Sequence, residues 1–355
     1  MEPGPGVSAD GTGIGAADAL LQSRGRSAEL GAWVVGIAFG REGRVCAFGL
    51  GDGTVRLAAP GQPAEEWRTV AAHPDGACLA LCADAKDGAL SGGDDGRLVR
   101  IAPDGTAEEI ARYGTKWVEH VAAHESGVRA AAVGKAVHLL DGAGKALKSL
   151  AHPSSVGGIA LDAKGKRVAA SHYNGCSLWF VAAKEDKPRV LEWKGSHGTI
   201  VISPDGTHVV TAMQENALHG WRLADGQHMR MSGYPSKTKS LSFTAKGRWL
   251  ATSGAESVVL WPFFGGGPMG KAPTELAGGD GVLCTAVACH PQQEVVAAGF
   301  ADGLVVIAEI ASGRVLPVAA PGRGSVSALA WNATGAALAF GTETGFAGLV
   351  DLSKR

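Results

Sequence analysis

Between residues 241 and 261 the chain reads LSFTAKGRWLATSGAESVVLW. Apolar runs at 241–243, 249–253 and 258–261 are broken by Ala245-Lys246-Gly247 and Gly254-Ala255-Glu256. Runs this short do not complete a helix and suit strands, and the small or polar breaks suit tight turns. The stretch therefore predicts an antiparallel meander. A lone sheet of this size leaves one apolar face in water, so the pattern demands neighbours of its own kind.

The rest of the chain supplies them. First strands of the same shape fall near Ile37, Leu79, Glu119, Ile159, Ile200, Leu241, Ala286 and Leu329, in steps of 42, 40, 40, 41, 41, 45 and 43 residues. Second strands follow near Val45, Ala89, Val128, Val168, Val209, Leu250, Val295 and Ala337. Third strands follow near Val55, Leu98, Val137, Leu178, Leu218, Val259, Val305 and Leu349. Fourth strands fit between copies, as at 67–71, 145–150, 189–193 and 314–318. A period near forty residues matches a four-stranded module repeated about an axis.

ISPDGTHVVTAMQENALHGW (202–221), the 241–261 stretch and GDGTVRLAAPG (51–61) resemble the WD40 propeller family. His73 and His152 fall where that family has the histidine of its Gly-His pair, and Trp179, Trp221 and Trp261 where it has the closing tryptophan. The resemblance spans residues 26–355 and implies an all-β propeller that works as a scaffold. The chain departs from the family in having no Gly-His and no Trp-Asp pair. That speaks against the family's His/Asp/Ser/Trp hydrogen-bond network in most repeats.

The last copy stops at its third strand, followed only by Ser-Lys-Arg, while residues 26–30 stand free before the first copy. Splicing the two would complete the final module and remove open sheet edges. The expectation is an eight-bladed propeller closed by an N-terminal strand. Seven blades is the alternative, because 120–141 is short and Ala-rich. Residues 1–25, rich in Gly, Pro and Ala, read as a disordered tail, and 26–355 as a single propeller domain.

A formal net charge of −1, with both signs interspersed, argues against a nucleic-acid surface. There is no basic segment before an apolar run at the start, and no stretch nears eighteen apolar residues, so neither a secretory signal nor a membrane span is expected. The six cysteines (46, 78, 82, 176, 284, 289) lack disulfide-framework spacing. A reduced, cytoplasmic setting and a monomer without cofactor follow.

Candidate chemistry is sparse. GGGPMGKA (265–272) satisfies G-x-x-x-x-G-K, but Ala272 and Pro273 stand where a phosphate-binding loop needs Ser or Thr and a helix; it reads as an inter-strand loop. His120 and His124, or Cys78 and Cys82, sit four residues apart. On a strand that is about 13 Å, too far to share a metal. GxSxG is absent, and no nucleophile has a nearby orienting base, so no catalytic residue is assigned. In 227–235, alternation puts Met229 and Met231 on one side of an outer strand, either packed inward or forming a soft docking edge.

What remains is recognition by one face, where loops into first strands meet turns between second and third strands. The partner-binding candidates there are Trp33, Trp117, His172, Tyr173, Gln214, Glu215, Lys237, Lys239, Phe300 and Arg323. Aromatic and Arg residues anchor interfaces, and loops on a rigid scaffold carry function. For Trp33, Trp117 and Trp193, packing between blades is the competing reading. The functional expectation is a non-catalytic protein-interaction scaffold, partner unspecified. The alternative is a zinc-handling or hydrolytic accessory protein whose His and Cys residues converge at the axis.

Overall fold

The computed structural model describes residues 17–279 and 281–353. The meander forms as the pattern predicts. Leu241–Phe243, Trp249–Thr252 and Ser257–Pro262 pair antiparallel in succession, with Phe243 opposite Leu250 and Leu250 opposite Trp261. Thr274–Gly278 adds the fourth strand. The first turn closes through the Gly247 N–H to the Thr244 carbonyl at 2.7 Å, with Gly247 at φ 66°. Ser203 to Gly206 closes in the same way, with Gly206 at φ 70°. A side chain at either glycine would be held in the left-handed region, which explains why the turn ends in glycine.

Second strands are the most buried. His208–Met213 and Ala337–Thr342 are buried at every position, whereas outer strands such as Ala107–Arg112 face water. Each hydrophobic cluster lies between consecutive repeats. One combines Ala130, Val137 and Leu139 with Val168 and Trp179; another combines Leu260 and Leu276 with Val296 and Phe300. First strands neighbour one another in a closed circuit. Val34–Phe39 lies beside Cys78–Ala83, then come His120–Ala123, Gly158–Leu161, the end of Arg189–Ile202, Leu241–Phe243, Cys284–Cys289 and Val326–Trp331, which returns to Val34–Phe39. This is a β-propeller.

Among the described residues hydrogen bonding joins the strands into seven blades, the stated alternative, rather than the expected eight: six have four strands and one has six. The difference arises at repeats four and five. Within Arg167–Phe180 the chain reverses at Asn174 and Gly175, both at positive φ, and the Val181 N–H reaches back to the Lys166 carbonyl. Arg189–Ile202 then pairs with Arg167–Phe180 on one side and with His208–Met213 on the other. Because Arg189–Ile202 runs on as one strand through the irregularities at Tyr173/Gly175 and His197/Ile200, the two repeats share one hydrogen-bonded sheet.

Closure uses both ends of the chain. Gly25–Glu29 pairs antiparallel with Phe346–Asp351, Gly25 opposite Val350 and Glu29 opposite Phe346. Most of the expected disordered tail, residues 1–16, lies outside the described residues. Its remainder is ordered: Ala19–Arg24 is a helix whose Leu21 is buried with Val318, Ala319 and Phe346. Asp18 accepts a hydrogen bond from the Ala320 N–H at 2.6 Å and pairs with Arg323. The ordered boundary therefore falls ahead of residue 25, because this ion pair and Leu21 dock the helix on the last two repeats.

In the first three repeats, Asp84 gathers a buried ionic cluster. The Arg129 guanidinium donates to both its oxygens at 2.6 and 2.8 Å, Arg100 adds a bond at 3.0 Å, and Arg41 donates to its backbone carbonyl at 2.6 Å. Repeats one, two and three are locked together by these contacts.

Candidate interaction surface

At one mouth of the channel a cavity of about 330 Å³ is walled by the last three repeats and the first. Its walls include Trp33, Lys237, Lys239, Leu283, Ser327 and Glu343. Backbone bonds hold the lining loops: the Gly51 N–H donates to the Trp33 carbonyl, and the Glu343 N–H to the Ser325 carbonyl, both at 2.9 Å. Below the rim, hydroxyls at the first strands stitch repeats five, six, seven, eight and one in succession. Thr199 donates to the Lys239 carbonyl at 3.0 Å, Ser240 to Val287 at 3.1 Å, Thr285 to Val326 at 2.6 Å and Ser327 to Val34 at 2.6 Å. The floor is consequently stiff and its hydroxyls are engaged. The charged and aromatic chemistry of the mouth is the Trp33 indole, the Lys237 and Lys239 ammonium groups and the Glu343 carboxylate.

Of the sequence candidates, Trp33 (51% exposed), Lys237 and Lys239 meet at this cavity. Gln214 joins them by accepting from the Lys237 ammonium at 2.7 Å, and Glu215 beside it is exposed. Trp117 and Tyr173 are 57% and 59% exposed but stand apart from the cavity walls. Arg323 is occupied by Asp18 and lies over the Phe346 ring at 4.7 Å, so it braces the closure.

Two candidates are corrected. Phe300, 2% exposed, belongs to the core with Leu276, Cys284 and Val296. It is the last residue of Val295–Phe300, paired with Cys284, and strand parity turns its ring inward. His172, 3% exposed, is held across the hairpin by Ser177 Oγ at 3.0 Å and by the Tyr173 carbonyl at 2.9 Å. Only its neighbour Tyr173 points out. Trp193 packs between repeats, stacked on His219 at 4.0 Å. Sequence reasoning missed Leu283, Ser325 and Ser327 at the mouth. A signal existed in the hydroxyls at 199, 240, 285 and 327, spaced 41, 45 and 42 residues apart.

The polar network that the missing Gly-His and Trp-Asp pairs speak against is present in altered forms. His73 is bonded to Asp95 at 3.0 Å and to Ser91 at 2.8 Å. In repeat six a tyrosine takes the histidine's part: Tyr234 hydroxyl accepts from the Trp261 indole at 2.6 Å and bonds Thr252 Oγ1 at 2.6 Å. His197 bonds Thr211 at 2.7 Å, and the Trp179 indole donates to His152 at 3.2 Å. These side chains fasten loops to strands, and burial keeps His73, His152 and His197 below the ordinary imidazole range.

Other chemistry is weakly provided for. Among the described residues no three His, Cys, Asp or Glu side chains are grouped to hold a metal ion. All six thiols are free; burial pushes Cys78 up to about 11 and Cys82, Cys284 and Cys289 to about 12, so they stay protonated and poor as ligands or nucleophiles. In the 265–272 loop the Lys271 ammonium donates to the Gly267 carbonyl at 3.0 Å and sits over the Phe264 ring at 4.8 Å. Met229 and Met231 are buried, with His228 and Arg230 outward. No helix among the described residues is long and apolar enough to cross a membrane.

No family model and no curated protein matches the chain. Among solved structures it is similar to the crystal structure of the computationally designed Ika8 protein, at 18% identity over 92% of this chain and 98% of that one, with a TM-score of 0.72. At such low identity the likeness shows the fold, a β-propeller.

Proposed function

We propose that this chain is a non-catalytic, WD40-type platform that grips a protein partner at the channel mouth bearing Trp33. The observation that carries this reading is the half-exposed Trp33 indole at the rim of a 330 Å³ cavity flanked by Lys237, Lys239 and Glu343. A rigid aromatic anchor beside charges, on loops fixed by backbone bonds, is the composition of a recognition patch. An extended segment with an acidic residue next to an apolar one would match the two ammonium groups and the indole. Near-neutral net charge favours a protein over a nucleic acid. Six free cysteines favour the cytoplasm.

The test is comparative affinity capture from the native cell with wild type and a Trp33→Ala/Lys237→Glu/Lys239→Glu variant. A partner held by wild type should be lost from the variant, with Tm changed by no more than about 2 °C, since surface substitutions alter stability by only about 0.5 kcal/mol each. Equal capture by both proteins would overturn the reading.

A further inference from the structure

A second cavity, of about 380 Å³, opens on the perimeter between repeats two and three, far in the fold from the channel mouth. Its walls include Ala111, Tyr113, His138, Gly144, Ala146 and Leu147. Tyr113, from the end of repeat two, stacks on His138 of Ala136–Leu140 at 4.5 Å and 29°.

The same construction recurs between repeats four and five, where it is complete. Trp193 stacks on His219 at 4.0 Å and 15°. A third ring, His228, closes the group at 4.9 Å from Trp193 and 5.3 Å from His219. Strand register makes the two sites correspond. His219 pairs with Thr211, and His138 with Ala131, at matching places on second and third strands. Two residues further on, Trp221 pairs with His228, while Leu140, across a bulge that skips Leu147, pairs with Ala146. The outer strand thus provides an imidazole in one repeat and a methyl group in the other. The space left beside Tyr113 and His138 is the cavity.

We propose that this cavity is a binding site for a small, planar, neutral heteroaromatic ring, which takes the place that His228 fills in the neighbouring copy. Tyr113 and His138 supply the stacking walls and Leu147 an apolar lip. The volume is within the range of small-molecule sites. Burial and the nearby Lys116 ammonium keep the His138 imidazole neutral at pH 7, as a flat stacking partner requires. Lys148 is tied to Asp186 at 2.6 Å and does not block the opening.

Indole is the probe. Titrated into the full chain and followed through the histidine ring resonances, it should move the His138 signal saturably, with a Kd of about 1 mM as suits a ring of that size. Ala146→Trp, on an exposed strand position, fills the space from within and should weaken binding at least tenfold. If that variant misfolds, His138→Ala, which removes one wall, should weaken indole binding severalfold. An unmoved His138 signal, or equal affinity in the filled variant, would overturn the proposal. Binding that perturbs only other histidines would overturn it as well.

Discussion

Phe300 and Tyr173 occupy similar places, each where a second strand gives way to a turn, yet one ring is core and the other is bathed in water. Phe300→Ala should cost about 3–5 kcal/mol in urea unfolding, the usual loss for emptying a buried aromatic site. Tyr173→Ala should change stability by about 0.5 kcal/mol or less. Their fates were not legible in sequence because shifting one residue along a strand reverses the face a side chain meets. The histidines carry a second prediction. His219 is fully buried between rings, and burial, aided by the His228 and His197 charges, lowers it to about 3; His152 falls to about 4 by burial and the neighbouring His172. Both lie below the unfolded value of 6.5, so the unfolded chain binds more protons between these limits. Their stability contribution is whole above pH 6.5 and falls as pH drops toward 4, by about 1.4 kcal/mol per pH unit per group. His219→Phe should flatten the loss of unfolding free energy between pH 6 and 4, measured by urea titration at each pH.

Elements show how much is decided at a distance. Strands and their turns were readable because alternating burial and a closing glycine are local properties. The docked helix Ala19–Arg24 was not, since Asp18 finds Arg323 more than three hundred residues away. Gly25–Glu29 covers the outer edge of Phe346–Asp351. A chain starting at residue 30 should expose that edge and self-associate, visible as concentration-dependent light scattering where the full chain gives none. The Asp84 cluster makes a parallel case. Arg129→Ala leaves a buried carboxylate with half its partners, and should cost about 3–5 kcal/mol.

For the whole molecule, the ring stands on interfaces between repeats, each buried only because the next repeat is present. Removing any one module exposes two apolar faces, so unfolding should be cooperative: intrinsic tryptophan fluorescence and far-UV circular dichroism should give coincident urea transitions. Non-coincident curves would mean that the repeats melt independently. The channel mouth exists only at this scale, built from side chains hundreds of residues apart, whereas the perimeter cavity needs only two adjacent repeats.

By itself the sequence determined the meander, its forty-residue recurrence and the use of residues 26–30 to finish the last module, because strand parity, turn glycines and a missing fourth strand are written along the chain. Tertiary structure alone decided which aromatics face water, that Trp33, Lys237 and Lys239 share one hollow, that two repeats merge into one sheet, and that Ala146 leaves room where His228 fills it. Those outcomes depend on what the neighbouring module presses against each side chain, and no local pattern records that.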